Sequence, residues 1–181
     1  MLFNLFSRAE PTPTITDFIW MTRAAKHRGA IDLIKKHPTT IVAAWFNQTI
    51  NEFQQDATTV IPGFTVRNMR QLVSPMVSNK TVIVLEHYPL RKKELAVWQQ
   101  WKAERIFVLS SLEDPLFQFF GGDKIVDLMR KMGMQENESV EHALVSKALV
   151  NAQQKLDKTT INESTANSQE EWFTRNHPVK S

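Results

Sequence analysis

The side chains able to do acid–base or metal chemistry are few and scattered. Histidines stand at 27, 37, 87, 142 and 177, and no two share a metal-ligand spacing such as H-E-x-x-H. Glu86 and His87 are adjacent at the end of the apolar run TVIVLEH. An acid beside an imidazole at the carboxyl end of a strand lies where α/β sheets place reacting groups. No nucleophile or glycine loop converges on that pair, so a framework turn is the plainer reading. The chain has no cysteine, which excludes disulfides and thiolate ligation. It has five glycines and no G-x-x-x-x-G-K-[ST] phosphate loop. Met129, Met132 and Met134 offer either a soft binding surface or, more commonly, core filling.

The elements that would position these residues can be read from apolar runs and caps. TIVAAWF (40–46), TVIVLEH (81–87) and RIFVLSS (105–111) are continuously apolar, as expected of strands buried on both faces of a parallel sheet. TTVIPGF (58–64) suggests a fourth, short strand. Helical periodicity lies between the runs: Thr22 to Lys36, with Ala24, His27, Ile31 and Ile34 on one stripe; Asn47 to Gln55; Val66 to Val77, interrupted near Ser74-Pro75; and Leu90 to Trp101. Asp114-Pro115 caps a further helix that stops at Gly121-Gly122. This alternation predicts an open α/β sheet flanked by helices.

Downstream, MRKMGMQENESVEHALVSKALVNAQ reads as two helices joined by a polar corner. A helix from Asp123 carries Arg130 and Lys131 in its last turn, and Gly133 can take the left-handed conformation that ends it. Ser139 caps the next helix, with Glu141 in its first turn. Val140, Leu144, Ala148, Ala152 and Leu156 form its expected apolar stripe. The organisation predicted is an N-terminal segment (1–15), an α/β domain (16–122), a helical extension (123–157) and a polar, weakly ordered tail (158–181). Within that tail Glu170, Glu171, Trp172 and Phe173 either dock back on the domain or serve as a peptide-like contact.

Composition is that of an ordinary globular chain, with 42% hydrophobic and 23% charged residues among 181. The net charge of +3 does not imply a nucleic-acid partner, and Lys147 and Lys155 alone are too few for a phosphate footprint on the 139–157 helix. Leu2, Phe3, Leu5 and Phe6 make a short apolar patch without the leader of a secretory signal, and peripheral membrane contact has no other support. No run approaches the roughly 20 apolar residues of a membrane span. A cytoplasmic location is expected.

The segment SSLEDPLFQFFGGDKIVDLMRKMGMQENESVEHALVSKALVNAQQKLD (110–157) resembles the SecA preprotein translocase family at the end of its ATPase motor. Glu113-Asp114, Leu116, Met129-Arg130-Lys131, Gly133-Met134, Glu141-His142, Lys147-Ala148 and Asn151-Ala152-Gln153 fall in register with that family's pattern. DFIWMTRAAKHRGAIDLI (17–34) and TVIVLEHYPLRKK, with Glu86, Arg91 and Lys92, are similar to it more weakly. The resemblance implies a RecA-like second motor domain followed by the start of a scaffold helix.

It also implies what the motor would need and these residues lack. Where the family carries the arginines that meet transition-state charge, this chain reads LAVWQQWKAERIF, with Trp98 and Gln100 near the arginine positions. An arginine finger contributes on the order of 10³–10⁵ in rate. The family's second glycine-rich element is replaced by PGFTVRNMRQL, where Arg67 and Arg70 read as a solvated helix face. No enzymatic activity, cofactor or metal is therefore expected. The favoured expectation is an interaction module whose protein partner belongs to the translocation machinery. Trp98 and Trp101 would form an exposed aromatic patch beside Arg91 and Lys92. The alternatives are a residual nucleotide-binding domain acting in trans with a separate motor half, and a helical nucleic-acid reader.

Overall fold

In a computed structural model, which describes residues 13–131, 133–139 and 143–177, five parallel strands form one open sheet in the order β1-β5-β4-β2-β3. The strands are β1 (Thr14–Trp20), β2 (Ile41–Ala44), β3 (Arg67–Asn68), β4 (Thr81–Val84) and β5 (Arg105–Ser111). The helices are α1 (Arg23–Lys36), α2 (Asn47–Val60), α3 (Ser74–Val77), α4 (Arg91–Gln100), α5 (Pro115–Gln118), α6 (Gly122–Lys131), α7 (Ala143–Thr159) and α8 (Gln169–Asn176). This is the RecA-like open α/β architecture with a C-terminal helical extension that the sequence predicts. No described helix is long and apolar enough to cross a membrane.

Strand residues alternate between two cores because successive side chains point to opposite faces. Val82, Val84, Ile106 and Val108 face one layer, with Trp98 of α4, Val145, Leu149 and Leu156 of α7, and Trp172 of α8. Ile83, Leu85, Val42, Ala44 and Leu109 face the other, with Ala25, Ala30 and Ile34 of α1 and Phe53 and Ala57 of α2. Both faces are thus covered, which is why the central strands are apolar without interruption.

Several local expectations are corrected. The Thr14–Trp20 strand pairs with β5 over seven residues, yet only Ile19 and Trp20 are fully buried and Thr14, Thr16 and Asp17 break its apolar run, which hides it as an edge strand. Residues 58–60 belong to α2 rather than to a strand. The Gln54 side chain then braces the following loop, donating to the Phe64 carbonyl and accepting from the Val66 N–H. The segment 66–77 is not one helix. It holds β3, a single 3-10 turn at Met69–Gln71 and α3. On α1 the buried residues are Ala25, Lys26, His27, Ala30 and Ile34, so Ala24 lies off the stripe. On α7 the buried apolar positions among the described side chains are Val145, Leu149, Ala152 and Leu156, while Ala148 is exposed. The spacing of four and three residues keeps one face toward α4, whereas a strict four-residue repeat drifts around the helix.

Residues 158–177 are a second correction of larger consequence. They are not a loose polar tail: α7 runs to Thr159, and α8 docks with Trp172 fully buried. Ser168 caps α8 by accepting from the Glu171 N–H at 3.0 Å. The N-terminal apolar patch, Met132, Val140, Glu141 and His142 lie outside the described residues.

Candidate functional site

The chain leaves β2 toward β3 on one side of the sheet, and then crosses back to lay β4 and β5 on the other side. The carboxyl ends of β2 and β4 therefore flank the topological switch point, where open α/β sheets bind ligands. In this crevice the sequence places Trp45 and Phe46 after β2, and Leu85, Glu86 and His87 after β4.

Glu86 fills the crevice from within. Its Oε1 accepts the backbone N–H groups of Trp45 and Phe46, each at 3.0 Å, and its Oε2 accepts the Thr49 hydroxyl at 2.7 Å. Those donors stand at the N-terminus of α2, whose cap residue Phe46 offers no side-chain acceptor. A helix N-terminus at a switch point is a ready anion site, and here the chain's own Glu86 carboxyl group occupies it. Burial raises the Glu86 carboxyl to about 7, against the opposing pull of the Thr49 hydroxyl, the Lys26 charge and the Phe46 amide.

Beside it Lys26 of α1 donates to both carboxylate oxygens of Asp114 at 2.9 Å, and both residues are buried. Asp114 also accepts the Ser111 N–H and hydroxyl, each at 2.8 Å. Its carboxylate is thus engaged with β5 and α1 and makes no cap bond to α5. Glu113 caps a different helix, accepting the Arg23 N–H of α1 at 2.7 Å. With Ser168, Gln169 and Glu170 closing over the top, the remaining cleft holds about 20 Å³, on the order of one water. Two cations, Arg23 and Lys26, face the carboxylates of Glu52, Asp114 and Glu170 there, besides the Glu86 carboxyl. His27 adds no reliable positive charge, because burial lowers its imidazolium despite the Asp56 carboxylate 2.6 Å away. The balance is hostile to a phosphate chain.

His87 belongs to a second buried cluster and not to an acid–base pair with Glu86. Its Nδ1 lies 2.9 Å from Glu94 Oε1, and its Nε2 lies 3.4 Å from Asp17 Oδ1 without hydrogen-bond geometry. Burial alone would lower the imidazolium, but the Glu94 charge and then Asp17 outweigh it and raise it to about 10. Burial would likewise raise Asp17, yet His87 and Arg91 hold it below its ordinary range. An imidazolium held this firmly is a structural cation, unsuited to moving protons at neutral pH.

The family-matching Gln153 completes that cluster. Its Nε2 donates to the Tyr88 carbonyl at 2.7 Å and to Glu94 Oε2 at 3.0 Å, fastening α7 to the β4–α4 turn. Asn151, one turn face away, is exposed, as are Arg130 and Lys131 at the end of α6. Met129 is buried in the core and Met134 packs against it. Gly133 takes φ 82, and the Met134 N–H then reaches the Met129 carbonyl at 3.2 Å to close α6. Glu113 and Arg130 line a shallow groove of about 220 Å³ with Met21 and Thr22.

The expected aromatic patch is absent. Trp98 is 3% exposed and Trp101 4%, packed against each other with ring centroids 5.4 Å apart under the α4 face of the sheet. Indoles carry a large apolar area, and the core of that layer claims both. Arg91 is half-buried, its guanidinium 3.4 Å from Glu94 Oε2. Of the four expected contact residues only Lys92 is exposed. Sequence reasoning did not single out Lys26, Ser111, Glu94 or Gln169, because a buried polar residue is recognised by its partner and the partners are 88, 3, 7 and 82 positions away. No group of three or more histidines, aspartates or glutamates among the described residues could hold a metal ion.

No family model matches the chain. Part of it is similar to curated proteins named protein translocase subunit SecA. The match to that of Psychrobacter cryohalolentis is 51% identical over 47 residues, taking in 26% of this chain and 5% of the relative. Acinetobacter baylyi has one 49% identical over 47 residues, with the same shares of 26% and 5%. For Desulforapulum autotrophicum the identity is 51% over 47 residues, covering 26% and 6%. The matched stretch thus spans about a twentieth of the length of these relatives, and what it establishes is a partial SecA-like relationship carried on a RecA-like fold.

Proposed function

We propose that this chain is a non-catalytic, SecA-like module that acts in the cytoplasm by binding a protein partner of the translocation machinery. The observation that carries the proposal is the Glu86 carboxylate seated on the Trp45 and Phe46 amides, in the crevice where an α/β sheet would receive a ligand. A crevice closed by the chain's own carboxyl group, and lined by more acidic than basic side chains, supports a framework that has kept its architecture without its nucleotide chemistry. The sequence supports the same reading, since it contains no phosphate loop and no arginine-rich element in register with the family's. The similarity to translocase subunits supports the choice of partner.

Two measurements test this. Purified chain should hydrolyse no ATP above buffer and give no calorimetric heat with ATP and magnesium. Affinity purification from the native cell at low salt should recover translocase components. Measurable turnover or nucleotide binding would overturn the non-catalytic part. Recovery of partners only from outside secretion would overturn the translocation part.

A further inference from the structure

The segment 160–177 is held by the body much as a bound peptide would be. It begins with irregular chain, where Ile161 is 90% exposed, and ends in the two turns of α8. The body meets it with backbone donors that have no other use. The Gln48 N–H, in the first turn of a helix lacking a side-chain cap, donates to the Asn167 carbonyl at 3.0 Å. The Leu116 N–H donates to Gln169 Oε1 at 3.1 Å, and Gln169 Nε2 returns a bond to the His87 carbonyl at 2.9 Å. Side chains supply charge: Lys93 and the Tyr88 hydroxyl both reach Glu163, and the Arg23 guanidinium lies 3.4 Å from Glu170 Oε1. An apolar floor takes the aromatic pair, with Trp172 fully buried and Phe173 stacked on Phe119 at 4.7 Å.

We propose that this groove is a peptide-docking surface which residues 160–177 occupy in cis, and that the partner it fits is a segment that carries a carboxylate for Lys93 and ends in a short helix with two adjacent aromatic residues. Three features of the groove select that chemistry. Lys93, beside the Tyr88 hydroxyl, selects a carboxylate at the position of Glu163. Free backbone donors at Gln48 and Leu116 select a carbonyl and a side-chain amide. The floor beneath Trp172 and Phe173 takes aromatic anchors, the side chains that most often dominate an interface. A tethered ligand has an effective concentration on the order of millimolar, so a partner competes only when the cis segment is weakened or the partner is locally abundant. The inference rests on reading the chain as a protein-binding module and names the surface that such binding would use.

The test uses a fluorescein-labelled peptide with the sequence of residues 160–177 and the purified full chain. In Trp172→Ala/Phe173→Ala the cis segment is weakened, and the peptide should bind at least 10-fold more tightly than to the wild type. Because the chain has no cysteine, Asn47→Cys/Asn167→Cys can be bridged by a short, thiol-cleavable linker where the two side chains meet at 3.3 Å. Bridging should weaken peptide binding at least 10-fold, and cleavage of the linker should restore it. A folded Trp172→Ala/Phe173→Ala chain that does not bind, or a bridged chain that binds as well as the cleaved one, overturns the proposal. If the double alanine variant does not fold, the bridged-against-cleaved comparison decides alone. A dimer in light scattering would identify a second copy of this chain as the occupant and overturn a separate partner. Peptide binding is read with purified components, so its failure is distinct from a failure to recover translocase components from cells.

Discussion

Replacing Glu86 by glutamine isolates one ionisation in the crevice with little change of shape. The glutamine carbonyl can accept the Trp45 and Phe46 amides, and its amide can donate to the Thr49 hydroxyl. Burial raises the Glu86 carboxyl from 4.5 to about 7, with the charges of Lys26 and Asp114 acting on it in opposite directions. A carboxyl whose folded pKa is raised binds its proton more tightly in the native state. Its contribution to stability is therefore greatest below pH 4.5 and is lost as pH rises to about 7. At about 1.4 kcal/mol per pKa unit, the loss is on the order of 3 kcal/mol. Other groups titrate as well. His87, raised to about 10, adds a loss of the same sign between pH 6.5 and 10, whereas His27 and His177, both lowered by burial, add stability as pH rises through their range. The difference between wild type and variant cancels these. Urea unfolding followed by tryptophan fluorescence at pH 4.5 and pH 7.5 should give nearly equal midpoints at the lower pH. At the higher pH the variant should be favoured by about 1–2 M, for an m-value near 2 kcal/mol per molar. A constant difference across the range, or a wild type that gains on the variant as pH rises, would refute the placement of a buried, proton-holding carboxyl at the switch point.

Lys26→Met leaves the buried Asp114 charge with only the more distant Arg23 as counter-ion and should cost about 2–4 kcal/mol in denaturant unfolding, most of it recovered in Lys26→Met/Asp114→Asn. Gln153→Ala removes the donor to the Tyr88 carbonyl and to Glu94, for a loss of roughly 2–4 kcal/mol, and should speed amide exchange in α7 ahead of the sheet. Trp98→Ala should destabilise by about 3–5 kcal/mol, as expected of a core indole. Its thermal unfolding should therefore move to lower temperature, whereas an exposed contact residue would leave it unchanged.

The fold was largely legible because its central strands are buried on two faces, and Val82, Ile83, Val84 and Leu85 have to be apolar in succession. Edges were not legible. β1 opens on Thr14, Ile15, Thr16 and Asp17 with little burial, and β3 has two residues, so neither carries a pattern long enough to read. The crevice was half visible. Glu86 and His87 stood out together, but the structure separates them into different clusters, Glu86 with the α2 amides and His87 with Glu94 and Asp17.

By itself the sequence determined the alternation of strand and helix, the close of α6 at Gly133 and the likeness of its later third to a translocase subunit. Each of these is a matter of local periodicity, backbone freedom or residue identity in register. Only the tertiary structure decided where Trp98 and Trp101 face, which charges neutralise one another, and whether residues 158–177 are ordered. A helix as short as Gln169–Asn176 has no stability of its own. It forms because the Gln48 and Leu116 amides, and the floor under Trp172, are brought to one place by segments more than 50 residues away in the chain.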